Sequence, residues 1–208
     1  EAVLTLTHPD GQVETKVLAV APRQWRIERI EGLPPSKVTP PLEVLARIRR
    51  EGALINAARA RDSATMTFAD GFILPATGRL SGFYGSQRIL NGKPRRPHLG
   101  LDVAGSVGTP VHAAAAGEVV LAEADLFYTG GTIAIDHGHG LTTIYSHMNS
   151  VDVKVGDSVA QGAPIGTIGA TGRATGPHLD WRINWFNVRL DPQLVLENPL
   201  PSGEGGER

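Results

Sequence analysis

Glycine interrupts the second half of this chain so often that a long helix cannot persist there. Through "VKVGDSVAQGAPIGTIGATGRATGPHLDW" (153–181) it falls at 156, 162, 166, 169, 172 and 176, and each glycine weakens a helix interior by about 1 kcal/mol relative to alanine. Short extended runs joined by tight turns accept the same residues readily. The whole chain carries 25 glycines and 15 prolines in 208 residues, with 5% aromatics. From about Met66 to Leu196 the pattern therefore predicts a mainly β domain of many short strands.

The N-terminal part reads differently. "AVLTLT" and "QVETKVLAV" are β-type runs joined by "HPDG", whose Asp10-Gly11 signals a turn. "QWRIERI" predicts a third strand in which Trp25 and Ile27 alternate with Arg26 and Glu28. His8 reads as a solvated loop residue. A proline-rich connector, "EGLPPSKVTPP" (31–41), leads into "PLEVLARIRREGALINAARARD", where Leu42, Leu45, Ile48, Ile55 and Ala58 recur at helical spacing. The arginines of this helix predict a solvated face, with a docking stripe for acidic polymer as the alternative. The expected organisation is a small β module (1–38), a linker helix (39–64), a larger β domain (65–197) and a frayed tail (198–208).

Composition excludes several functions. The formal net charge of −1 gives no basic excess to attract nucleic acid. No apolar run is long enough to span a bilayer. The absence of cysteine removes any disulfide framework or thiolate metal site.

The chemistry-bearing residues sit in the β region. "PHLGLDVAG" puts His98 and Asp102 on one face of a predicted strand, with Leu99, Leu101 and Val103 on the other and Gly100 leaving the polar face open. In "TTIYSHMNS" the same period places Tyr145 with His147, against Ile144 and Met148. In "GPHLDWRIN" it places His178 with Asp180, against Leu179 and Trp181. Imidazole nitrogen and carboxylate oxygen are the donors zinc takes when thiolates are absent. His112, and the pair His137 and His139 in a glycine-rich turn, read as structural. Lys93, Arg95 and Arg96 in "GKPRR", with Arg173, are candidate contacts for substrate carboxylates.

Taken in order, "SGFYGSQRILNGKPRRPHLGLDVAGSVGTPVHAAAAGEVV", "YSHMNS" and "VKVGDSVAQGAPIGTIGATGRATGPHLDW" resemble the lysostaphin/LytM-type zinc peptidases of bacterial cell walls, from about Leu80 to Pro192. The resemblance implies a LytM-like β-sandwich or barrel with two related hybrid halves, and a Zn²⁺ cofactor. It implies His98 and Asp102 as metal ligands from the HxxxD element, with His147 and His178 as catalytic, non-ligating histidines. The family's third ligand is the second histidine of HxH, and this chain has Asp180 there. An Asp can hold zinc. One His and two carboxylates leave a Zn²⁺ site neutral rather than at +1, so weaker polarisation of water and of the substrate carbonyl is expected.

The resemblance thus implies a zinc endopeptidase that cuts peptide cross-links of peptidoglycan in the cell envelope, periplasmic or secreted, with its signal peptide removed. The alternative is a LytM-like domain of weak or no activity that binds an envelope regulator or activates a cell-wall amidase. Of residues 1–64, the helix is a candidate cover for the groove. The 153–169 stretch also resembles biotinyl and lipoyl carrier hairpins, but Lys154 reads as lying within a strand rather than at a hairpin tip.

Overall fold

The computed structural model describes residues 1–196; residue 197 and the expected tail at 198–208 lie outside the described residues. In chain order the strands are β1 (Ala2–Thr7), β2 (Val13–Leu18), β3 (Ile27–Ile30), β4 (Arg79–Gly82), β5 (Gln87–Leu90), β6 (Lys93–Pro94), β7 (Leu101–Ala104), β8 (Pro110–His112), β9 (Gly117–Leu126), β10 (Gly130–Gly138), β11 (Leu141–Val151), β12 (Ser158–Val159), β13 (Pro164–Ile168), β14 (His178–Trp185) and β15 (Val188–Leu190). Two helices, α1 (Pro35–Val38) and α2 (Leu45–Arg59), lie between β3 and β4.

β1 and β2 form an antiparallel hairpin whose residues are all exposed. Most of the remaining strands share one sheet in the order β12-β9-β10-β11-β14-β7-β4. β13 branches from β11 and carries β8, and β15 pairs with β14. The branch brings Val111, Ile165 and Ile168 into one core with Leu101, Val103, Leu179, Trp181 and Ile183. The sheet thereby closes over its own apolar side chains as a sandwich. The alternation read from the sequence of β7 and β14 is what makes this possible: Leu101, Val103, Leu179 and Trp181 are fully buried, leaving the intervening residues on the opposite face.

α2 covers part of that opposite face, where Ala58 and Ile55 pack with Leu121, Leu126, Ala134 and Ile144. Leu42, expected on the apolar face of the helix, is instead 83% exposed, because a short 3₁₀ turn (Leu42–Val44) precedes α2 and breaks its register. Arg49, Arg50 and Arg61 are exposed, as a solvated face requires, while two other helix arginines are paired or buried. Arg47 binds Glu51 and Asp125, Arg61 lies beside Glu118 and Asp136, and Arg59 is buried.

β3 runs parallel to β5, with Glu28 opposite Arg88, and the alternation read for it is reversed. It turns Glu28 and Ile30 inward and leaves Ile27 exposed, because Glu28 meets the Arg88 guanidinium there. Lys154 lies outside any strand, immediately before a turn at Val155–Gly156, with its N–H donating to Asp157 Oδ2.

Candidate metal centre

β7 and β14 are antiparallel neighbours, and their register sets Asp102 directly opposite Asp180. Directly paired residues carry their Cβ atoms about 5 Å apart, so two carboxylates share one patch of the sheet. His98 does not lie in the strand, as the period-two reading expected. It sits in the extended segment before β7, where its backbone N–H donates to Ser86 O and its carbonyl accepts from Gly85 N–H. This anchoring still brings His98 Nε2 to 3.1 Å from Asp102 Oδ1. His98, Asp102 and Asp180 each offer a donor atom, all within 4.8 Å of one another, and all three residues are buried. No other such cluster occurs among the described residues.

The patch tests itself for a cation. His98 Nε2 and Asp102 Oδ1 are buried and face each other at 3.1 Å without hydrogen-bond geometry, and His98 Nδ1 is buried with no partner, a costly arrangement that a divalent ion at this patch would relieve. Two arginines engage the remaining carboxylate oxygens. Arg88 Nη2 donates to Asp102 Oδ2 at 2.6 Å, and Glu28 lies 3.4 Å from Arg88 Nε. Arg182 forks onto Asp180, with Nε donating to Oδ1 at 2.9 Å and Nη2 to Oδ2 at 2.5 Å. Each carboxylate oxygen has two lone pairs, so these bonds leave Asp180 able to reach a metal. The residues therefore fit a borderline ion held by one imidazole and two carboxylates.

The same cations govern ionisation. Burial pushes the Asp180 carboxyl up, but the charge and fork of Arg182 overcome this and hold it well below the usual carboxylate range. For Asp102 burial again opposes ionisation, and His98 and Arg88 outweigh both that and the neighbouring Asp180.

His147 departs from the expected pattern. Strand alternation predicts Tyr145 and His147 on one face, yet Tyr145 and Met148 both enter the core while His147 lines the groove beside Asp102 and His178. The reason is a bulge. Ile133 pairs with Tyr145 but Gly131 with Met148, so β11 carries an extra residue, and His147 has φ +66°. Left-handed backbone at a non-glycine residue is strained and clusters at functional positions. His147 Nδ1 donates to Thr171 O at 2.8 Å, and His178 Nδ1 to Gly176 O at 2.9 Å. A carbonyl only accepts, so each ring carries a proton on Nδ1, which leaves Nε2 as the atom that can take up or give a proton. The rings lie 4.7 Å apart. Burial, then the neighbouring His178, lower the His147 pKa to about 4, which keeps it neutral at pH 7.

The groove, of about 420 Å³, has Arg29, Arg79, Arg88 and Arg173 in its lining, and β3 supplies one wall. Lys93 and Arg95 are not among the lining residues. Their side chains bind Thr39 Oγ1 and Val38 O, tying down the proline-rich connector, and Arg96 is exposed. Nor does α2 cover the groove, since it packs on β9, β10 and β11. His137 is held in the core by Ala116 O and Thr143 Oγ1. Sequence reasoning missed Arg88, Glu28 and Arg182. Only Arg182 had left a signal, two residues beyond Asp180 on the same strand face.

The sequence model of peptidase family M23 matches residues 96–192. Peptidoglycan DD-endopeptidase ShyA of Vibrio cholerae is 41% identical over 105 residues, which are 50% of this chain and 24% of that protein. This chain thus spans about a quarter of the length of that relative. Among solved structures, a putative peptidase M23 from Pseudomonas aeruginosa is 39% identical with a TM-score of 0.65, covering 74% of this chain and 63% of that one. The catalytic domain of the antimicrobial peptidase lysostaphin from Staphylococcus simulans is 31% identical with a TM-score of 0.50, covering 57% of this chain and 90% of that domain.

Proposed function

The chain belongs to peptidase family M23, and from that premise we propose that it is a zinc-dependent endopeptidase cutting peptide cross-links of bacterial peptidoglycan. The observation that carries the reading is the buried cluster of His98, Asp102 and Asp180 donors, whose Asp102 lines one groove with His147 and His178, two imidazoles held through Nδ1 by backbone carbonyls. Zinc held by the three donors would supply a Lewis acid that polarises the scissile carbonyl and acidifies water.

The chain's own residues do the rest. Hydrolysis forms a C–O bond from water, breaks the C–N bond, and moves one proton from the water to the leaving amine. His147 and His178 are proposed as the catalytic groups that carry that proton at Nε2, or hydrogen-bond the developing oxyanion when protonated. The backbone carbonyls of Thr171 and Gly176 hold the two rings in the tautomer this requires. Arg29, Arg79 and Arg173 line the groove and would draw in the carboxylates of wall peptides. The envelope, periplasmic or secreted, is the compartment that fits this substrate; no described helix is long and apolar enough to cross a membrane.

The test is cleavage of purified cross-linked peptidoglycan fragments by zinc-loaded protein, with products identified by mass. Release of peptide-linked products supports the reading. A second reading has one observation in its favour: Arg182 holds both oxygens of Asp180, as in a domain that works without metal. Binding and activation of a cell-wall amidase, with no cleavage by the zinc-loaded chain, would select it.

A further inference from the structure

We propose that Arg182 makes Asp180 the electrostatic equivalent of a neutral histidine ligand. The inference rests on the metal reading above and concerns how this chain accommodates an aspartate where its family has an imidazole.

Counting His98, Asp102 and Asp180 alone, a divalent ion is brought to zero charge. Arg182, forked onto Asp180, adds one positive charge. A carboxylate and a guanidinium joined by two hydrogen bonds carry no net charge, as a neutral imidazole carries none. With Arg182 included, the loaded site returns to +1, the value for two histidines and one carboxylate. Arg88 adds to either count equally, because it binds Asp102. The weaker polarisation expected from sequence is thereby offset.

The geometry is built for the pair. Asp180 and Arg182 are two apart on β14 and share a face, and the fork engages both oxygens in the arrangement that gives arginine–carboxylate pairs their strength and orientation. Gly100 makes the space. A Cβ there would lie 2.5 Å from Asp180 Oδ1 and 2.8 Å from Arg182 Cγ. Gly100, just before β7, thus accommodates the ion pair itself. Asp180 is 1% exposed and the Arg182 side chain 25% exposed, so solvent screens the pair only in part.

The consequence runs against intuition. Installing the family's own residue should harm the site, because Asp180→His leaves Arg182 without a counter-ion beside a metal. The experiment measures zinc affinity by chelator competition on the wild type, Asp180→His, Arg182→Gln and the double variant, each checked for folding by circular dichroism. At an effective dielectric near 20, one uncompensated charge a few ångströms away is expected to weaken zinc binding by about tenfold or more in Asp180→His. Adding Arg182→Gln should restore it to about the wild-type value, since the charge count is then matched. If Asp180→His binds zinc as tightly as the wild type, or gains nothing from Arg182→Gln, the inference is overturned while the metal reading stands. Absence of zinc from all four proteins overturns the metal reading and the inference with it. Should Asp180→His not fold, Arg182→Gln alone reads the same charge: tighter zinc binding is expected, and unchanged or weaker binding overturns the inference.

Discussion

Asp102 and Asp180 are register partners across β7 and β14, two buried carboxylates that would repel each other if left to themselves. Like charges directly opposite in a sheet are destabilising, and burial aggravates this. The fold answers with a guanidinium on each, Arg88 on Asp102 and Arg182 on Asp180.

Removing Arg88 exposes that repulsion. Arg88→Gln is expected to lower the stability of the metal-free protein by about 3–5 kcal/mol, as for other broken buried pairs, and zinc should recover part of the loss. Urea unfolding in the presence and absence of chelator measures both, and an unchanged midpoint in chelator contradicts the account.

His147 and His178 are proposed to move protons and not to hold the ion. Alanine at either position is expected to reduce cleavage of cross-linked fragments by about 100-fold or more while zinc content stays at the wild-type level. Loss of zinc from both variants would mean that the roles are misassigned.

Acid should loosen the fold by forcing buried histidines to charge. His137 and His147 are each lowered from 6.5 to about 4, burial being the first cause in both. Between those values the unfolded chain takes up protons that the folded chain refuses, so stability is full above pH 6.5 and falls as pH drops towards 4. From pH 7 to 5, each histidine should remove about 1–2 kcal/mol from the metal-free protein. Denaturant unfolding across that range tests this, and a flat profile contradicts it.

Two glycines should respond in opposite ways to alanine. Gly100→Ala would press on Asp180 and Arg182 and is expected to cost about 1–3 kcal/mol, with weakened zinc binding. Gly52, inside α2, has open space around it, and alanine there should stabilise by about 0.5–1 kcal/mol. Thermal unfolding of the two variants gives the comparison; equal shifts would remove Gly100's special role.

Much of this was legible because strand alternation is local. Leu179 and Trp181 announced a core face, and their neighbours His178 and Asp180 followed onto the other. Glycine spacing foretold turns for the same reason. What escaped depends on contacts distant in sequence or on local irregularity. The bulge at His147 arises from a mismatch between β10 and β11 that no single segment reveals. Arg88 reaches Asp102 only because β5 pairs with β3 and lies along the groove. Lys93 and Arg95 looked available for substrate until the connector residues Val38 and Thr39 claimed them. Arg182 could have been placed from the sequence by carrying the alternation one step beyond Asp180.

The central claim is that His98, Asp102 and Asp180 hold one zinc ion. Elemental analysis after chelator stripping and reloading, on the wild type beside folded His98→Ala and Asp180→Ala, tests it most directly. The account predicts about one zinc per chain in the wild type, as for a three-ligand catalytic site, and much less in both variants. A wild type that takes up no zinc would contradict it, and so would an Asp180→Ala variant that retains the full amount.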